Sequence, residues 1–182
     1  MESMKVVSEH NYMLKAFQLR AARITTNISL RAVGELIGLT KAAVSLWEHQ
    51  DSFSQIKTSN KNIIIIKQFF NNHGISFPDE HSINLKTILK GKKLEGLTRF
   101  QLRAARAMLH ITQEELATLI EIPRYIIQKA EYSANNRYLR MYSPMDALPI
   151  KLKHFFEGKN ICFEHDFQVS FLKCKKILDI RL

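Results

Sequence analysis

The apolar positions of this chain fall into two matching series. The heptapeptide FQLRAAR occupies Phe17–Arg23 and again Phe100–Arg106, and at this offset of 83 the copies align without a gap through Glu48 and Glu131, with 11 of 32 positions identical. Past that point the offset becomes 86. It sets Asn60 over Asp146, Phe69 and Phe70 over Phe155 and Phe156, Ile75 and Phe77 over Ile161 and Phe163, and Ile83 and Leu85 over Val169 and Phe171. Apolar character matches along the whole unit and not only in the heptapeptide, so the chain reads as a tandem repeat of units of roughly 80–90 residues.

Both units predict the same elements. Leu14–Ile24 and Thr98–Leu109 are rich in helix formers and lack Gly and Pro, so each is expected to form a first helix. Ser29 and Thr112 stand ahead of second helices over Leu30–Ile37 and Gln113–Ile120, with Thr112 and Glu115 at capping-box spacing. Third helices follow over Lys41–Glu48, capped by Thr40 after the turn residue Gly38, and over Arg124–Glu131 after Pro123. Leu39, Val44 and Trp47 in one, and Ile127 and Ala130 in the other, are spaced to face inward. A fourth helix starts at the N-caps Asn60 and Asp146 and ends near Gly74 and Asn160, residues that tolerate a left-handed backbone. Ile63–Ile66 alone would suit a strand, but its counterpart Pro149–Leu152 does not, so both are read as helix.

Ile75–Phe77 with Ile83–Leu85, and Ile161–Phe163 with Val169–Phe171, alternate with period two and predict a hairpin at the end of each unit. An isolated hairpin is marginal, so these either pack on their helices, pair with each other or pair across a dimer. The expected fold is mainly α, with a first domain over residues 1–88 and a second over 98–182, joined by a Lys/Gly-rich linker at 89–97.

Charge narrows the function. Among 182 residues, 27 Lys and Arg against 17 Asp and Glu leave a net charge of +10, which points to polyanions and first of all to nucleic acid. With 46% hydrophobic residues the charge sits on a folded body and not on a disordered basic tail. It is shared, +4 on residues 1–90 and +6 on residues 91–182. No apolar stretch reaches membrane-spanning length and the N-terminal residues lack a signal-peptide core, so no membrane association is expected and the location is read as cytoplasmic and nucleoid-associated. Cys162 and Cys174, the only two cysteines, are read as free thiols of a reducing compartment.

No catalytic or phosphate-loop motif occurs, so neither an enzyme, a cofactor nor a small-molecule ligand is expected. His154, Cys162, His165 and Cys174 contain a metal-like spacing, but the repeat places Gln68, Ser76 and Asp79 opposite the first three, so the cluster reads as a surface accident and no metal is expected. Tyr132, Tyr138 and Tyr142, interleaved with Arg137 and Arg140, read as a solvated loop or, alternatively, as a phosphate-binding loop or a stacking surface for single strands.

The second and third helices carry the strongest motif. Gly34 and Ala117 allow close helix approach, Gly38 and Glu121 occupy the turn, and Val44 and Ile127 close the wedge. In this combination the chain resembles the lambda-repressor-like (phage repressor, xenobiotic-response-element type) helix-turn-helix family of transcriptional regulators, in both copies, over about Leu14–Asn72 and Thr98–Glu157. The resemblance implies structural ion pairs between Arg23 and Glu48 and between Arg106 and Glu131, each 25 residues apart. It also implies that the third helix enters the DNA major groove while the start of the second lies on the backbone. Carried over, the DNA-binding residues are Ser29, Arg31, Thr40, Lys41, Ala42, Ser45 and Leu46 in the first copy and Thr112, Gln113, Arg124, Tyr125, Gln128 and Lys129 in the second. Ala43 is either a methyl contact or core.

The copies depart from the family pattern at Leu30, where a phosphate-contacting Gln is usual, and at Glu121 and Ala130. Either both copies contact DNA or one serves chiefly in dimerisation. The expected partner is therefore double-stranded DNA. A homodimer through the hairpins or the FLKCKKILDIRL segment is the assembly their apolar alternation suggests. The competing reading is a protein-interaction module, such as an antitoxin or anti-repressor.

Overall fold

The computed structural model of the protein describes residues 13–87, 96–139 and 147–172. Each repeat folds into four helices and a two-stranded hairpin. The first contains α1 (Ala16–Thr26), α2 (Leu30–Leu36), α3 (Lys41–Glu48), α4 (Asn60–Asn72), β1 (Ile75–Ser76) and β2 (Ser82–Leu85). The second contains α5 (Arg99–Met108), α6 (Gln113–Leu119), α7 (Arg124–Glu131), α8 (Leu148–Glu157), β3 (Ile161–Cys162) and β4 (Gln168–Phe171). The described chain is thus mainly helical, with one small antiparallel sheet.

Local chemistry sets most boundaries. Ser29 Oγ accepts from the Ala32 amide at 3.1 Å, Thr40 Oγ1 from Ala43 at 3.2 Å, and Thr112 Oγ1 from Glu115 at 3.1 Å, satisfying amides that a helix start leaves without partners. Glu115 returns the bond by accepting from the Thr112 amide at 2.6 Å, which completes a capping box. The turns between elements use left-handed residues at equivalent positions: Asn27 and His110 (φ 56° and 57°), Gly38 and Glu121 (70° and 54°), Gly74 and Asn160 (81° and 61°). Several boundaries differ from the sequence reading, among them Thr98 and Pro123, which are the caps of α5 and α7 rather than helical residues. The cap of α4 is Ser59, whose Oγ accepts from Asn62, and Asn60 is the first helical residue. Leu39 is 38% exposed rather than inward, because it lies in the turn ahead of the cap. The first helix begins at Ala16, since Lys15 forms an isolated bridge with Gln55. Asp146, and residues 88–95 of the linker, lie outside the described residues.

The repeat register also extends further than the helices. Thr98 bridges Tyr138 as Lys15 bridges Gln55, and the amides of Ile56 and Leu139 donate to Leu14 and Leu97 carbonyls at 3.0 and 2.9 Å. The offset of 83 therefore holds through Ile56 and Leu139, so the three extra residues of the second copy fall between Leu139 and α8.

The hairpins pair with each other. The sheet order is β1-β2-β4-β3, and β2 meets β4 antiparallel with Ile83 opposite Val169, Ser82 opposite Ser170 and Asn84 opposite Gln168. Ile83 and Val169 are repeat counterparts, so an approximate twofold axis passes between them. The same axis relates α1 to α5, which pack side by side. Across this seam Ser52 Oγ donates to the Met108 carbonyl at 3.2 Å, and Asn135 Nδ2 donates to the Thr25 carbonyl at 2.6 Å. Because α1 packs on its own unit and on α5, even Gln18 and Arg20 are buried. The apolar residues of both units join one cluster, including Phe17, Val44, Phe70, Phe100, Ile127 and Phe156.

Candidate nucleic-acid interface

Each third helix is held from behind by an arginine of its own first helix. Arg23 Nε and Nη2 donate to Glu48 Oε1 and Oε2, both at 2.7 Å, and Arg106 Nε and Nη2 donate to Glu131 at 2.6 and 2.9 Å. The spare donors, Nη1 of Arg23 and of Arg106, reach the carbonyls of Ile28 and Ile111 at 3.3 and 2.9 Å, tying in the turn before the second helix. Such buried fork-to-fork pairs fix the orientation of the helix they terminate. The close crossing of α2 and α3 needs Gly34, where an added Cβ would lie 2.5 Å from the Leu39 carbonyl oxygen.

With the inner face fixed, the outer face is what each third helix presents. Lys41 and Ala42 are exposed, Leu46 is 66% exposed, Ser45 and Ala43 are half-buried, and the cap Thr40 is exposed. On α7, Arg124, Gln128 and Lys129 are exposed and Tyr125 is 61% exposed. The residues singled out on the third helices thus form one outward strip per unit at matching positions.

The second-helix residues are more committed. Ser29 and Thr112 are the caps already described, and exposed Arg31 pairs with Glu35 at 2.9 Å. Gln113 is half-buried and its Nε2 donates to Glu131 Oε2 at 2.8 Å, so it braces the second ion pair; Leu30, its counterpart, cannot. Arg124 Nε lies 3.5 Å from Glu114, which stands where the first unit has Arg31. Together with exposed Glu115 and Glu121, at the positions of Ala32 and Gly38, this acid makes the second face the less positive one, although its third helix has more donors.

Two groups at the seam went unnoticed in the sequence. Arg20 donates to the Ala107 carbonyl at 2.6 Å, the Met108 carbonyl at 3.2 Å, Ser52 Oγ at 3.0 Å and the Glu48 carbonyl, so one guanidinium ties α1, the end of α3 and the end of α5 together. Burial pushes it down to about 10, against the opposing pull of Glu48. Its counterpart Arg103 stays within its own unit, donating to Asn135 Oδ1 at 3.1 Å and to the Glu131 carbonyl. The signal available in the sequence was the identical Arg in both heptapeptides. The second group is His49, after α3, packed edge-to-face on His110, after α5, with ring centres 5.0 Å apart. Partial burial, with Arg20 and His49, holds the still solvent-exposed His110 below the usual histidine range.

The other candidates look different in three dimensions. Tyr138 is buried, and burial with Asp166 nearby pushes its phenol up to about 12, so it is no part of a stacking surface; Tyr132 is exposed, and Arg140 and Tyr142 lie outside the described residues. His154 and His165 line a cleft of about 690 Å³ between the start of α5, α8 and the β3–β4 turn. Cys174 lies outside the described residues, and among the described residues no three metal-binding side chains converge. Burial raises the Cys162 thiol, keeping it protonated. No described helix is long and apolar enough to cross a membrane.

No family model, no curated protein and no solved structure matches this chain.

Proposed function

We propose that the protein is a sequence-specific double-stranded DNA-binding transcriptional regulator built from two lambda-repressor-like helix-turn-helix units, with α3 and α7 as its reading helices. The observation that carries this reading is the approximate twofold through Ile83 and Val169, which relates two exposed, donor-bearing third helices within one chain. Two half-sites of one duplex call for that relationship.

In this reading Lys41 and Arg124 donate to guanine O6 and N7, the arginine with a bidentate fork. Thr40, Ala42, Ser45 and Leu46, and Tyr125, Gln128 and Lys129, meet neighbouring base edges, while Ser29, Arg31, Thr112 and Gln113 lie against phosphates. A monomer then covers a pseudo-palindrome. A homodimer would have to use surfaces other than the facing edges of β2 and β4, which already pair with each other. The activity needs no catalytic group or cofactor, and it places the protein with the nucleoid.

Binding to random duplex DNA across a salt series tests this. Neutralising 6–10 phosphates gives a log–log slope of about −5 to −9. A flat, weak response contradicts the reading and favours the protein-interaction module. Preference for a single-stranded competitor contradicts it in favour of single-strand or RNA binding.

A further inference from the structure

We infer that the two reading helices recognise half-sites of different base chemistry, so that the preferred site is a guanine-anchored pair of unequal halves, with thymine in the α3 half at positions where the α7 half has a purine, each half written 5′ to 3′ toward the twofold axis. This rests on the DNA-reading function proposed above. Helices α3 and α7 are braced alike by buried Arg–Glu pairs, at 2.7 Å and at 2.6–2.9 Å, so equivalent positions present their side chains to equivalent places.

What they present differs. Lys41 and Arg124, both exposed, share one position and one preference, the O6 and N7 acceptors of guanine. One turn further on, Ser45 is replaced by exposed Gln128, and the 66% exposed Leu46 by Lys129. An exposed leucine beside the Ala42 methyl offers only apolar contact, and in the major groove the C5-methyl of thymine is the group that takes it. A glutamine amide instead pairs bidentately with adenine N6 and N7, and an ammonium donates to guanine.

The surrounding charge sharpens the difference. Glu114 lies 3.5 Å from Arg124, and Arg31 fills the equivalent place in the first unit. Glu114, Glu115 and Glu121 repel phosphate, so the α7 half gains less from sequence-independent attraction and depends more on its base contacts.

Selection of bound sites from a random duplex library by the full chain tests this, repeated with Leu46→Ala and Gln128→Ala. Both substitutions fall on exposed side chains, and unchanged thermal melting confirms that the variants fold. With each half written 5′ to 3′ toward the twofold axis, the expected consensus has a guanine in each half, and thymines in one half at the positions where the other has purines. Gln128→Ala should relax adenine discrimination roughly 5- to 150-fold in the purine half only, and Leu46→Ala should weaken thymine preference in the other half only. A palindromic consensus, a single half-site, or variants that change both halves together would overturn the inference while leaving DNA reading intact. No enrichment of any site would overturn both.

Discussion

Ile83 faces Val169 across β2 and β4, and the two are each other's counterparts in the repeat. Because the pairing is centred on equivalent residues, the backbone bonds that flank it form a related pair, the Phe171 amide with the His81 carbonyl and the Leu85 amide with the Phe167 carbonyl, both at 2.9 Å. The chain therefore holds internally the isologous arrangement that a single-repeat protein would reach by dimerising.

Arg20 is the least replaceable residue of this seam. Arg20→Met removes the guanidinium donors to the Ala107, Met108 and Glu48 carbonyls and to Ser52 Oγ, and should cost about 3–5 kcal/mol. Arg103→Met, whose bonds stay within one unit, should cost less. Urea unfolding of both variants compares them, and equal losses would contradict the bridging role.

The turn between second and third helices is under opposite constraints in the two units. Gly34→Ala drives a Cβ into the Leu39 carbonyl and should destabilise by about 1–3 kcal/mol. Glu121→Gly relieves a glutamate held at φ 54° and should stabilise by about 0.5–1 kcal/mol, the left-handed penalty less the entropy of glycine. Thermal melting reads both, and a destabilised Glu121→Gly protein would show that the carboxylate contributes more than its backbone costs.

Much of this was legible in the sequence for local reasons. The bounds of α3 and α7 follow from Thr40, Pro123 and the apolar residues Val44 and Ile127, and the left-handed ends at Gly74 and Asn160 follow from residue type alone. The cap of α4 was misplaced by one because Ser59 and Asn60 are both good caps and only the fold chooses between them. The seam was legible only as one of three options for the hairpins. Nothing near Ile83 specifies a partner 86 residues away, and Arg20 sits in a heptapeptide whose charge suggests solvent although its packing buries it. The outward strip on α3 came from positions that the family resemblance implies along one helix; the acid beside Arg124 could not be read, because Glu114 comes from a different helix.

Acid should loosen the seam through His110. Its imidazole titrates below the usual range because of burial, Arg20 and His49, with Glu48 and Glu115 opposing. As pH falls below about 6.5 the unfolded chain takes up this proton first, so stability that is fully present above that pH is lost as pH approaches the lower folded value. His110→Asn installs the residue found at the equivalent position, Asn27, which holds the same left-handed backbone, φ 56° against 57°. Melting temperature against pH should fall less steeply below pH 6.5 in the variant, and identical slopes would remove His110 as the cause.

Lys41→Ala and Arg124→Ala test base reading at the position the repeats share. Each should weaken binding to a selected duplex by about 1–3 kcal/mol and relax preference at one base pair, without changing thermal stability, because both side chains are exposed. A uniform loss across all sequences would assign them to phosphate contact instead.

The central claim is that one chain places two reading helices on one duplex. Hydroxyl-radical footprinting on a selected duplex, with stoichiometry fixed by titration, measures this directly. One chain per duplex should protect two patches separated by about one helical turn or a whole multiple of it. A single protected patch, or two patches that appear only when two chains are bound, would contradict it.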